Sequence, residues 1–166
     1  MPARSDTLTL VGIAASILVI DQLTKFLLVS KVGPDRFEYR VEVVDGWLAI
    51  EYTENRGAAF GVLSGLVPLL TAVSIAVLIG VLLHFMRQAM PPLWHTLAIG
   101  GIVGGALGNL VDRVRLGHVI DFLSVGPWPN FNVADSAITV GVLVLIWGWT
   151  RPAPAFDMAK VIDQKN

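Results

Sequence analysis

The chain has 166 residues, 54% hydrophobic and 15% charged, with a formal net charge of −1. A single domain of that length has too little interior to hide so much apolar surface, so a water-soluble fold is excluded and the excess must face lipid. Near-neutral charge gives no footing for nucleic acid, and the lack of cysteine excludes disulfides, thiolate nucleophiles and cysteine-bound zinc.

In chain order, the first apolar stretch runs from about Leu8 to Val29, near the roughly 20 residues that cross a hydrocarbon core. It continues past Asp21 with no small-residue cleavage site after it, so it reads as a retained span rather than a secretory signal. The polar segment that follows alternates apolar and charged residues over Phe37 to Val43 and again from Trp47 to Thr53, with Asp45-Gly46 between. That pattern predicts a small antiparallel hairpin or sheet over about 36–54, resting on the membrane surface. Further spans are expected at about 67–86, 93–111 and 134–150. Between the last two, residues 112–133 contain Gly117, Gly126, Pro127 and Pro129 and read as an ordered, turn-rich loop rather than a helix. The tail after Arg151 is a Pro-Ala-rich surface segment.

The expected fold is therefore a membrane all-α domain covering 1–166, with four spans and a small β element. Four spans put both termini on one side and bring the β segment and the 112–133 loop together on the other. Lys and Arg are nearly balanced between the two sides, so the positive-inside rule does not set the orientation.

Ionisable residues inside or at the rim of a span are costly and mark function. Asp21 and Lys25 are four apart, share a helix face and are expected to pair. Gly100, Gly101, Gly104, Gly105 and Gly108 form a small-residue face that permits close helix packing and sets Asn109, Asp112 and Arg113 against a neighbour. Asp112 and Arg113 read either as an ion pair or as contacts to a substrate carbonyl. Asp121 lies in the apolar run Val119 to Leu123, and Asp135 opens the last span with Asn132 as a good N-cap. The Gly126-Pro127-Trp128-Pro129 turn folds the chain back so that Asp121 can approach Asp135. Two carboxyls in a low-dielectric site share a proton; one can deprotonate a water while the other polarises a carbonyl. The helix N-terminus is expected to favour the charged form of Asp135, and burial the neutral form of Asp121.

Two other readings compete. A metal held by His118 and Asp121 with Asp112 or Asp135 is a thin ligand set for zinc, so no metal or other cofactor is expected. A small ion-coupled transporter would place its acids near mid-membrane, whereas Asp112, Asp121 and Asp135 cluster at one rim. A non-catalytic lipid- or peptide-binding module is the third possibility.

Five blocks carry a resemblance. They are Asp21-Gln22-Leu23-Thr24-Lys25, Glu54-Asn55-Arg56-Gly57-Ala58-Ala59-Phe60-Gly61, and Gly104 to Arg113. Gly117-His118-Val119-Ile120-Asp121-Phe122 and Phe131-Asn132-Val133-Ala134-Asp135-Ser136 complete the set. In this order and spacing the chain resembles the lipoprotein signal peptidases (signal peptidase II) of bacteria from about Asp21 to Thr150. The resemblance implies an aspartic endopeptidase of the cytoplasmic membrane. It implies that signal peptides are removed from prolipoproteins before a cysteine carrying diacylglycerol, at the outer face, with both termini cytoplasmic. By motif it implies a catalytic pair of Asp121 and Asp135. Asn55, Gly57, Asn109, Arg113, Asn132 and Ala134 fall on substrate-binding positions, and Asp21, Lys25 and Asp112 on structural polar ones. The implied partners are the lipid-modified precursor and membrane lipid, with the enzyme a monomer.

Overall fold

The structure is a computed structural model and describes residues 1–32, 36–57 and 67–150. The motif residues Ala58 to Gly61 and the tail beyond Arg151 lie outside the described residues. Among the described residues there are four helices: α1 (Arg4–Val32), α2 (Val67–Met86), α3 (Leu93–Leu116) and α4 (Val133–Trp149). Three of them, α1, α2 and α3, are long and apolar enough to cross a membrane, and α4 is a shorter apolar helix of 17 residues. The strands are β1 (Arg40–Val44), β2 (Leu48–Asn55) and β3 (Val119–Val125), preceded by a short 3₁₀ turn at Arg36–Glu38.

The helix α3 is the centre of the bundle because its glycines let two neighbours reach its backbone. A Cβ added at Gly104 would come within 2.6 Å of the Ala14 carbonyl oxygen on α1. One added at Gly105 would strike the Ala134 carbonyl on α4, and one at Gly108 would meet both the Asp21 carboxyl and Ala134. The predicted small-residue face is thus two faces, one per neighbour. Packing without a hydrophobic drive between helices depends on such close approach. A core of Leu10, Ala14, Phe85, Ala98, Ile99, Ile102, Val103 and Leu145 fills the far end of the bundle. By contrast α2 buries only Phe85 and leaves Leu69, Val73, Val77, Ile79 and Leu83 outward.

The predicted hairpin exists, but the sheet has a third strand. The order is β1-β2-β3, antiparallel throughout, with β3 drawn from between α3 and α4. This corrects the reading of 112–133 as a turn-rich loop. The helix α3 carries on through Asp112 and Arg113 and stops at Gly117, whose φ of 75° is the left-handed C-cap that glycine favours. The strand β3 then begins almost at once. A register shift in the β2–β3 pairing between Ile50 and Thr53 breaks the expected alternation, so Ala49 and Tyr52 are both buried. Tyr52, Ile120 and Phe122 pack with Leu28 and Val32 and fasten the sheet to the end of α1.

Candidate active site

The two aspartates reach the same place by different routes. Asp121 lies mid-strand in β3, opposite Thr53 of β2, and Asn55 two residues along β2 reaches it diagonally: its amide Nδ2 donates to Asp121 Oδ2 at 2.9 Å. Beyond β3, Gly126 takes φ +49° beneath the Trp47 ring, and its N–H donates to the Trp47 carbonyl at 2.8 Å. The chain returns so that Phe131 bridges Leu123, its N–H donating to the Leu123 carbonyl at 3.1 Å. The next residue is Asn132, the extended N-cap of α4, whose Oδ1 accepts from the Asp135 N–H at 2.9 Å. Its Nδ2 donates to Asp121 Oδ1 at 2.7 Å. One fully buried amide therefore holds the Asp121 carboxyl and the backbone of Asp135 together.

Asn109 near the end of α3 completes the frame. Its Nδ2 donates to Asp135 Oδ1 at 2.7 Å, while its Oδ1 accepts from Asn132 at 3.2 Å and from Lys25 Nζ at 3.3 Å. The Asp135 carboxyl is thus taken by Asn109 rather than closing a reciprocal capping box.

Electrostatics follow from this packing. Asp121 is 1% exposed, and burial pushes its carboxyl up from 3.8 to about 7, with the nearby Asp135 charge adding to the rise and the Asn55 and Asn132 amides opposing it. At neutral pH a large share of Asp121 is a carboxylic acid. Asp135 sits in the first turn of α4, with Asn109 on its carboxyl and Asn132 on its backbone N–H.

Behind the pair lies a second polar cluster. Lys25 Nζ is 2.8 Å from Asp21 Oδ2 and 2.7 Å from Asp112 Oδ2, with all three side chains buried. Asp21 Oδ1 also accepts the Ala134 N–H at 3.0 Å, and Asp112 Oδ2 the Ile120 N–H at 3.2 Å. The cluster therefore grips the backbone one residue before each aspartate. The expected Asp21–Lys25 pair is present. The Asp112–Arg113 pair is not: Asp112 turns to Lys25, and Arg113 reaches Ser74 Oγ on α2 at 3.5 Å.

A 300 Å³ cavity opens beside Asp135, lined by Trp128, Phe131, Ser136, Thr139 and Val140. No group of three or more His, Asp or Glu side chains able to hold a metal ion occurs among the described residues. His118 turns to Glu54 instead, with Nε2 at 3.7 Å. Burial alone would raise the Glu54 carboxyl, but Arg56, His118 and Tyr52 outweigh it and hold it below its ordinary value.

Compared with known proteins, residues 13–151 match the family model described as signal peptidase (SPase) II. The chain belongs to the signal peptidase II family. A lipoprotein signal peptidase of Parasynechococcus marenigrum (strain WH8102) is 40% identical over 139 residues, 82% of this chain and 86% of its own. One of Rhodococcus jostii (strain RHA1) is 43% identical over 145 residues, covering 84% and 71%. A solved bacterial membrane enzyme superposes with a TM-score of 0.79 at 33% identity, covering 87% of this chain and 94% of that one.

Within this signal peptidase II family chain, the residues singled out from the sequence divide in two. Asp121, Asp135, Asn55, Asn109 and Asn132 meet, and Asp21, Lys25 and Asp112 form the cluster behind them. Gly57 follows at the edge, with φ +109° and its N–H on Asn55 Oδ1 at 3.0 Å. Ala134 is not brought to a cleft: it has no exposed surface and packs against Gly105 and Gly108. Sequence reasoning assigned no role to Gln22, whose Nε2 donates to Asp112 Oδ1 at 2.9 Å and to the Gly108 carbonyl at 3.2 Å. Its place beside Asp21 in a span was the available signal.

Proposed function

We propose that this protein is an aspartic endopeptidase that removes the signal peptide from diacylglyceryl-modified prolipoproteins, cutting before the lipid-bearing cysteine. The observation that carries the reading is the meeting of Asp121 and Asp135 through Asn132 within a chain of the signal peptidase II family. In the proposed step, the Asp135 carboxylate takes a proton from water as the hydroxide adds to the scissile carbonyl carbon. The Asp121 carboxylic acid gives its proton to the carbonyl oxygen. Collapse of the tetrahedral diol returns that proton to Asp121, and the departing nitrogen takes the proton held by Asp135.

The amides of Asn55, Asn109 and Asn132 act here as holders of the carboxyls. Arg113 and Gly57, at the open side, are assigned to substrate. The cavity beside Asp135, apolar except for that carboxyl and two hydroxyls, suits a chain that is half peptide and half lipid. A single domain over 1–166 with four spans is proposed, α4 crossing as the fourth. Both termini are then cytoplasmic, and the sheet and aspartates lie at the outer face of the bacterial inner membrane. The enzyme is proposed to work as a monomer among membrane lipid.

Changing Asp121 or Asp135 to Asn should cut turnover of a diacylglyceryl-modified precursor by on the order of 10³-fold or more, with insertion unchanged. Wild-type turnover in either variant would remove the aspartate assignment.

A further inference from the structure

On the side of α3 turned away from the aspartates, a groove of about 150 Å³ runs between α1 and α3 at the sheet end. Its walls are Phe26, Val29 and Leu116, which are 67%, 38% and 44% exposed, so no described residue covers them. Arg115 stands at its rim. Residues two apart on a helix point about 200° apart, and while Arg113 reaches across to Ser74 of α2, Arg115 lines the α1 side. Its guanidinium has no ion pair or hydrogen bond to any described residue. The one carboxylate in the groove, Asp112, is already taken by Lys25 at 2.7 Å, Gln22 at 2.9 Å and the Ile120 N–H at 3.2 Å.

A groove with exposed apolar walls, a polar floor whose charges are already paired, and one unpaired cation among its lining residues matches a phospholipid bearing a net negative charge. We propose that this groove binds an anionic phospholipid, its phosphate on Arg115 and part of one acyl chain along Phe26, Val29 and Leu116. Such a site requires only that the chain spans a bilayer and is independent of the aspartate mechanism. The groove floor is the Gln22–Lys25–Asp112 cluster, and its inner wall is Ile120, the residue before Asp121. An acyl chain seated there braces the back of the β3 strand.

The test uses the full chain in nanodiscs of phosphatidylglycerol or phosphatidylcholine, reading the thermal unfolding midpoint and, by native mass spectrometry, lipid retained on release. Phosphatidylglycerol should raise the wild-type midpoint by about 2–4 °C over phosphatidylcholine and leave a retained lipid. Arg115→Gln should lose both effects, Arg115→Lys should keep most of them, and Leu116→Trp should lose the retained lipid by filling the groove. Lys31→Gln, which removes a cation at the same end but outside the groove, should change neither. Equal losses in Lys31→Gln and Arg115→Gln would overturn the site in favour of diffuse surface charge. Inorganic phosphate added to phosphatidylcholine discs and reproducing the shift would overturn the lipid assignment.

Discussion

At the scale of the residue, the Asp121 carboxyl links stability to chemistry. From its ordinary 3.8 up to about 7, the folded protein holds a proton that the unfolded chain has released. Stability therefore falls as pH rises through that window, and the loss is complete above it. Asparagine cannot ionise. Unfolding of Asp121→Asn and wild type in detergent should show the variant gaining roughly 2 kcal/mol on wild type between pH 5 and pH 8. A constant difference would mean that burial does not hold the proton there. Lys25 poses the opposite problem, since its ammonium is the cation both Asp21 and Asp112 face. Lys25→Met leaves two buried carboxylates with one cation gone and should cost about 3–5 kcal/mol, measured by denaturant titration in micelles. The ion-pair reading of Asp112 and Arg113, one of the two open to the sequence, fails for a simple reason: adjacent helix residues point about 100° apart and do not face each other.

At the scale of the element, close approach at α3 can be tested with a paired control. An alanine at Gly104 presses on the backbone of α1, whereas at Gly80 of α2 an added Cβ meets nothing within 4 Å. Gly104→Ala should destabilise by about 1–3 kcal/mol, and Gly80→Ala should be neutral or slightly stabilising, by the same titration. Elements were legible in the sequence where one physical signal ruled. The helix α2 coincides with its apolar run at 67–86, since it packs loosely and composition alone bounds it. Composition alone ends α3 too early, because the apolar run stops near Val111 while the helix ends at the Gly117 cap. The strand β3 gives no such signal: Val119 to Phe122 are all buried, leaving no alternation to read. The aspartate pair was legible because the Gly-Pro-Trp-Pro turn between the two acids is a local signal. The amide frame of Asn55, Asn109 and Asn132 depends on three distant segments, and no local pattern encodes which carboxyl each amide holds.

At the scale of the whole molecule, the aspartates sit where the helix bundle meets the sheet, at one end of the helices rather than in their middle. A substrate anchored by acyl chains is confined to a thin layer at that depth, so its scissile bond meets the pair without a search through bulk water. The lipidated precursor should therefore be cleaved with a kcat/KM at least 10²-fold above its unlipidated counterpart, on the order expected when anchoring supplies positioning. Comparable values in a purified assay would place recognition in the peptide alone.

The third strand also sets a schedule for biosynthesis. During translation β1 and β2 emerge long before β3, and Asp121 finds Asn55 only once residues 119–125 dock on the waiting edge. Asp135 comes later still, with α4. A nascent chain halted anywhere before that helix thus carries at most one of the two acids. The pair is therefore complete only after α4 has been made and has packed on α3.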